Sequence, residues 1–315
     1  MPPQQPAAPA APAAPRSSAT GTAASRSLFA PPEAARPISL WGSSSMSSEG
    51  GQESTPVPIR IHDHLTLAAH PAVVHAFGVG ATTSRHTVLM RGLDTPVASP
   101  ASSPDPGTGA VEVTLDSGLA PAGPIRVPGT IGAVAGELDG SSGRWIFTPS
   151  DPTQQVEAET FTSALAETAR GSRQVLWMGK NNILDVEGVL EDTQRMWDAT
   201  DDPEHDTLVL GQWPTEHDPV GSATANALAA VNAEQRSRYG AHFLDLGALL
   251  TQQEGLGCSP LAPLDVLAQG STQESLALEV VPPILVASDA IHLNGWGNLA
   301  VNWAIIHRMR ELRWL

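Results

Sequence analysis

Three short apolar runs of this chain each stop at a glycine. Ile38-Ser39-Leu40-Trp41 runs into Gly42, Val73-Val74-His75-Ala76-Phe77 into Gly78, and Val175-Leu176-Trp177-Met178 into Gly179. Runs this short, bounded by turn residues, read as buried strands. Helical spacing fills much of the rest: 56–69, with Pro56 and Pro58 at its start, 186–198, 222–239, and from Gly295 or Trp296 to Leu312. Further strands are expected at 207–213 and 242–246, and a mostly irregular crossover at 251–288 with a short helix at 263–267. Buried strands alternating with helices imply an α/β fold with a parallel sheet and helices on both faces. In such sheets, reactive groups sit on the turns at the C-terminal ends of the strands.

Those turns carry chemistry. The first run leads into Gly42-Ser43-Ser44-Ser45-Met46, which offers hydroxyls. The second leads into Gly78-Val79-Gly80-Ala81-Thr82-Thr83-Ser84, where a backbone N–H can be left free. The third leads into Gly179-Lys180-Asn181-Asn182, whose amides can donate to a developing oxyanion. Near the C-terminus, just after Ile284-Leu285-Val286, stands Ser288-Asp289-Ala290-Ile291-His292-Leu293-Asn294-Gly295-Trp296-Gly297. A carboxylate three residues before an imidazole can fix its tautomer and stabilise its cation. A histidine needs both to take a proton from a serine.

These four segments, in this order, resemble the SGNH (GDSL-type) hydrolase family over about 36–315. The resemblance implies a three-layer α/β/α sandwich with a central parallel sheet, the flavodoxin-like SGNH fold. Gly42-Ser43-Ser44 stands where the family has Gly-Asp-Ser, which implies that Ser44 is the nucleophile. Gly80-Ala81 stands on the family's glycine block, with the glycine falling on one or the other. Gly179-Lys180-Asn181-Asn182 stands on Gly-x-Asn-Asp, which implies an oxyanion role for Asn181, with Asn182 as the fallback donor. Asp289-Ala290-Ile291-His292 stands on Asp-x-x-His and implies the acid and the base. The implied oxyanion hole is the N–H of Ser44, an N–H at Gly80 or Ala81, and the Asn181 amide. Ser43 and Asn182 each replace a family Asp, and neither replaced residue carries the proton transfer.

The expected activity is hydrolysis of short-chain or carbohydrate acetyl esters, with no metal and no organic cofactor. Two alternatives come from other classes: an O-acyltransferase of the same family, and a non-catalytic carbohydrate-binding or adhesion protein on this fold. The short Asp–His spacing, and the lack of a Gly-x-Ser-x-Gly elbow around Ser44, set the chain apart from the α/β-hydrolase layout.

Composition agrees with an enzyme core. The chain has 315 residues, 41% of them hydrophobic, and a formal net charge of −16. That charge disfavours nucleic acid and anionic membrane surfaces as partners. Its single cysteine, Cys258, excludes an intramolecular disulfide and a cysteine-based zinc site. No apolar run has the length of a membrane span. Residues 1–35 are mostly Pro, Ala and Ser and read as a disordered tether to an unknown partner. They lack the basic start and apolar core of a signal peptide, so an extracellular, surface or particle-associated placement would imply another export route, a truncated start, or assembly inside a larger particle.

The stretch 94–160 breaks the α/β pattern. Pro, Ser and Gly dominate 96–109, then β-like runs follow at 110–115, 124–127 and 144–148. A small antiparallel insert is expected there, followed by a helix over 157–169. His62-Asp63-His64 resembles a metal pair, but residues i and i+2 do not share a helix face and no third ligand follows. Trp213 and Trp296 are candidates to line the acyl or leaving-group pocket, with core packing the ordinary role of each. Asp289 also has the composition of a cap for the last helix.

Overall fold

The computed structural model describes residues 36–51, 55–68 and 72–315. The proposed tether at 1–35 and the last residue of the expected helix 56–69 lie outside them. Eleven strands follow in chain order: β1 (Ile38–Gly42), β2 (Val74–Gly78), β3 (Val97–Pro100), β4 (Val111–Leu115), β5 (Arg126–Ile131), β6 (Val134–Asp139), β7 (Trp145–Pro149), β8 (Glu159–Ser163), β9 (Arg173–Trp177), β10 (Thr207–Leu210) and β11 (Phe243–Leu244).

Five of them make a parallel sheet in the order β11-β10-β9-β1-β2. β1 lies between β2 and β9, with Gly42 level with Gly78 on one side and Trp177 on the other. The turns after β1, β2 and β9 therefore leave the sheet side by side. Alternate residues of the inner strands feed separate cores, as the two-residue period of a strand requires. Ile38, Leu40, Val175, Trp177, Leu208 and Leu210 join one cluster, with side chains from the helices Val57–Leu67, Leu246–Thr251 and Gly295–Glu311. Trp41, Leu176 and Val209 join another, with side chains from the helices Ser84–Met90, Val186–Trp197 and Ala223–Tyr239.

The other six strands close a barrel in the order β3-β4-β7-β6-β5-β8, with every pairing antiparallel. Its interior, including Val113, Val127, Leu138, Phe147 and Phe161, belongs to the same apolar cluster as Trp41 and Leu176. The barrel core thus continues into the core on that face of the sheet.

The helix expected over 157–169 is a correction. Glu159–Ser163 forms β8, and only Leu165–Thr168 is helical. The reason is the alternation Glu-Thr-Phe-Thr-Ser, which buries Phe161 and Ser163 while the residues between them face out. The strand expected at 242–246 also stops early, because Asp245 accepts the Ala248 N–H and caps the helix Leu246–Thr251. The crossover at 251–288 holds more helix than expected, including Gln253–Leu256 and Gly270–Ala277. No helix among the described residues is long and apolar enough to cross a membrane.

Candidate active site

Gly42 is required by a close approach. A Cβ there would lie 2.2 Å from the Trp177 carbonyl oxygen of the neighbouring strand. The chain then turns through Ser43 into the one-turn helix Ser44–Ser47, and Ser48 adopts a left-handed φ of 61°. Ser44 is only 7% exposed. Its carbonyl accepts the N–H of Glu49 and the hydroxyl of Ser47, which folds 44–49 into a closed turn. As the first residue of that helix, Ser44 has no intrahelical acceptor for its own N–H.

Asp289 and His292 meet as expected. Asp289 Oδ2 lies 2.7 Å from His292 Nδ1, while Oδ1 accepts the N–H groups of Ile291 and His292 at 2.9 Å each. Burial pushes the Asp289 pKa up, but three contributions from His292 and the Ile291 N–H outweigh it and bring the pKa down to about 2. Asp289 therefore stays anionic and sets the imidazole with its proton on Nδ1. Nε2 has no hydrogen-bond partner among the described residues. The loop is tied down on the other side as well. Asn294 Nδ2 donates to the carbonyls of Ile284 and Val286, and Gly297 passes so close to Leu285 that a Cβ would lie 2.5 Å from its carbonyl oxygen. The cap of the last helix is Asn294, whose Oδ1 takes the N–H groups of Trp296 and Gly297; Asp289 does not fill that role.

The imidazole loop packs on the serine loop. Gly50 has a φ of 83°, and a Cβ there would sit 2.5 Å from His292 Cβ. His292 thus lies against the turn that starts at Ser44.

The β2 turn supplies candidate donors. Among the described residues, neither the Gly80 nor the Ala81 N–H has an acceptor, and the turn is closed instead by Thr82 N–H and Oγ1 on the Val79 carbonyl. The sequence left open which of the pair carries the family's glycine. The structure puts the left-handed conformation on Ala81, with φ 60°, and not on Gly80. Such a conformation costs a non-glycine residue on the order of 1 kcal/mol. It persists where the surroundings over-determine it.

Asn181 lies in the turn Lys180–Asn182 after β9. Its Nδ2 donates to the Thr82 carbonyl at 2.8 Å, which joins the third turn to the second. An amide nitrogen carries two hydrogens, so one remains for another acceptor. Asn182, the fallback donor, is tied to Ser84 through both ends of its amide. Its Oδ1 accepts the Ser84 N–H at 3.0 Å and its Nδ2 donates to Ser84 Oγ at 3.0 Å. Ser84 Oγ in turn donates to the buried Asp192 at 2.5 Å. This explains the departure at 182. An Asp would accept the same N–H but could not donate to Ser84 Oγ, whose proton is committed to Asp192. Burial raises the Asp192 pKa, against the Ser84 hydrogen bond and Arg195.

Two groups that sequence reasoning missed hold these turns. Lys180 Nζ donates to the Trp213 carbonyl at 2.9 Å and to Asp218 Oδ2 at 3.0 Å. Burial lowers the Lys180 pKa, and Asp218 opposes the shift without reversing it. Asp218 also accepts the Thr215 N–H and hydroxyl. The signal was Thr215-x-x-Asp218, a spacing at which a carboxylate can close its own turn. The second group is His86, at the capping-box spacing from Thr83. Glu49 was also overlooked; its Oε1 lies 2.2 Å from where a Cβ on Gly80 would be.

Trp213 is buried and packs 5.0 Å from Trp177, centroid to centroid, whereas Trp296 is 38% exposed. Among the described residues no three His, Cys, Asp or Glu side chains converge as metal ligands. His64 Nε2 instead accepts a hydrogen bond from Arg310 at 3.0 Å.

No protein-family model matches the chain, and no curated protein matches it in sequence. Among solved structures it is similar to esterases and acetylesterases. The psychrotrophic esterase EstA from Pseudoalteromonas sp. is 10% identical, with a TM-score of 0.46 over 88% of this chain and 97% of that one. TesA is 11% identical, with a TM-score of 0.48 over 88% and 99%. The Clostridium thermocellum family 3 carbohydrate esterase is 12% identical, with a TM-score of 0.41 over 88% and 98%.

Proposed function

We propose that this chain is a serine esterase of the SGNH type, acting on short-chain or carbohydrate acetyl esters. The observation that carries the reading is the Asp289–His292 pair seated on the Ser44–Gly50 turn, together with N–H groups at Ser44, Gly80 and Ala81 that have no acceptor among the described residues. The catalytic domain spans 36–315, with 94–160 as its insertion. The two cores on opposite faces of the sheet support a three-layer α/β/α arrangement.

In this reading His292 Nε2 takes the Ser44 hydroxyl proton as Oγ attacks the ester carbonyl carbon. The carbonyl π bond opens and its electron pair becomes the oxyanion. That charge is held by the Ser44 N–H, an N–H at Gly80 or Ala81, and the second Asn181 hydrogen. Collapse expels the alcohol, which leaves with the proton from His292. Water then attacks the acyl-serine, giving its proton to His292, and the carboxylic acid departs as Ser44 recovers a proton. Asp289 remains anionic throughout and stabilises the imidazolium.

The test is turnover of p-nitrophenyl acetate and of a longer-chain ester by the wild type and by Ser44→Ala, together with covalent labelling by a fluorophosphonate. Turnover and labelling that both vanish in Ser44→Ala support the reading. A folded wild type that neither turns over nor labels would sink it.

A further inference from the structure

We propose that the barrel is a working part of the oxyanion hole: its segment 117–124 braces the 80–84 turn through Gly123 and His86, making His86 a positioning residue. This rests on the esterase reading above.

The first contact is backbone on backbone. Gly123, with φ +60°, comes so close to the β2 turn that a Cβ would lie 2.0 Å from the Gly80 carbonyl oxygen and 3.2 Å from Ala81 Cβ. The barrel segment therefore lies directly on the two residues whose N–H groups are the candidate donors.

The second contact is a buried imidazole. His86 is 2% exposed. Its Nδ1 accepts the Thr83 N–H at 3.2 Å, so the ring proton sits on Nε2. That proton goes to the Ala120 carbonyl at 2.8 Å. One ring thus joins the residue after Thr82 to the middle of the barrel segment. Arg85 adds a bond to the Ser117 carbonyl at 3.2 Å, and Trp145 of β7 holds Leu119 from inside the barrel at 2.7 Å. Burial, and then Arg85, lower the His86 pKa against the opposing Ala120 bond, in keeping with a neutral, fixed strut.

On the opposite side the same turn is held by Asn181 on Thr82 and Asn182 on Ser84. The strained Ala81 sits between the two grips. Oxyanion donors accelerate a reaction only when they are pre-organised, and a misplacement of about 1 Å can cost about 10²-fold. The barrel supplies one of the two grips that fix these donors.

The experiment compares Gly123→Ala, His86→Asn and His86→Gln with the wild type. It measures kcat and KM on p-nitrophenyl acetate, the thermal midpoint, and amide hydrogen exchange over 78–86. Asn can keep the acceptor for Thr83 but loses Ala120, whereas Gln reaches far enough to keep the Ala120 bond. The brace predicts kcat lowered about 10- to 100-fold in Gly123→Ala and His86→Asn, with KM within about twofold. It also predicts faster exchange at 80–84 in both, and recovery of most of both effects in His86→Gln. Folded variants with wild-type kcat and wild-type exchange overturn it, as does an Asn variant that performs like the Gln variant. If Gly123→Ala does not fold, the Asn and Gln pair decides alone. A wild type without turnover or Ser44 labelling fails the esterase reading instead, while the exchange pattern still supports or overturns the brace.

Discussion

Asp289 holds His292 at two points, its Oδ1 on the backbone N–H at 2.9 Å and its Oδ2 beside ring Nδ1 at 2.7 Å. The same carboxylate therefore shapes the loop and sets the tautomer. Asp289→Asn keeps the loop acceptor but can present an N–H to Nδ1, which favours the wrong tautomer. We expect kcat to fall about 10²–10⁴-fold. The thermal midpoint at neutral pH should fall much less steeply, as circular dichroism would show.

The low Asp289 pKa also gives a signed pH effect. Its folded value of about 2 lies below that of an unfolded aspartate. Its contribution to stability is thus present above the unfolded value and lost as pH falls through about 2. Thermal melts of wild type and Asp289→Asn should converge between about pH 4 and pH 2. A gap that stays constant over that range would contradict the linkage.

Placing the Asp of the SGNH motif at 182, by Asn182→Asp, should harm this chain. Ser84 Oγ has one proton and gives it to Asp192 at 2.5 Å, so a second carboxylate on Ser84 Oγ would meet a lone pair and a like charge. A loss of about 1–3 kcal/mol is expected near neutral pH. Two carboxylates that share a site bind a proton more tightly folded than unfolded, so the loss should shrink as pH falls. Urea melts at two pH values would test this.

Lys180→Met should leave Asp218 without its cation, in a pair whose side chains are 17% and 11% exposed. Breaking such a pair costs about 3 kcal/mol. Because Lys180 adjoins Asn181, kcat should fall with it. A destabilised variant with unchanged kcat per folded molecule would show that the brace does not reach Asn181.

Glu49 lies against Gly80, so its carboxylate opposes negative charge gathering at the candidate donors. Glu49→Gln should raise kcat on a neutral ester about three- to tenfold. Added salt should raise wild-type kcat and leave the variant nearly unmoved, since exposed charges are screened. Steady-state kinetics over a range of sodium chloride concentrations gives both answers.

The parts of the fold written in local patterns were legible. β1, β2 and β9 each end near a glycine, and the helices Val186–Trp197, Ala223–Tyr239 and Gly295–Glu311 follow their spacing. The Asp289–His292 pair was legible because it lies within four consecutive residues. The closed barrel was not. β3, β6 and β8 contain Pro, Gly or few apolar residues, and β3 and β8 become strands through partners far along the chain, Val97 beside Thr160. His86 escaped notice for the same reason. Its link to Thr83 is local, but the one to Ala120 exists only once the barrel has closed.

The pairing of β3 with β8 bears on the entropy of closing the sheet. The central sheet needs β1 beside β9, with the entire barrel on the loop between them. Closing a loop costs more entropy the longer it is. Val97 and Thr160 are neighbours in the folded barrel, so its entry and exit points coincide. Once the barrel has formed, the detour shrinks to a short rigid hairpin. A formed barrel therefore lengthens the connection that the β1–β9 pairing must close by far less than its own number of residues.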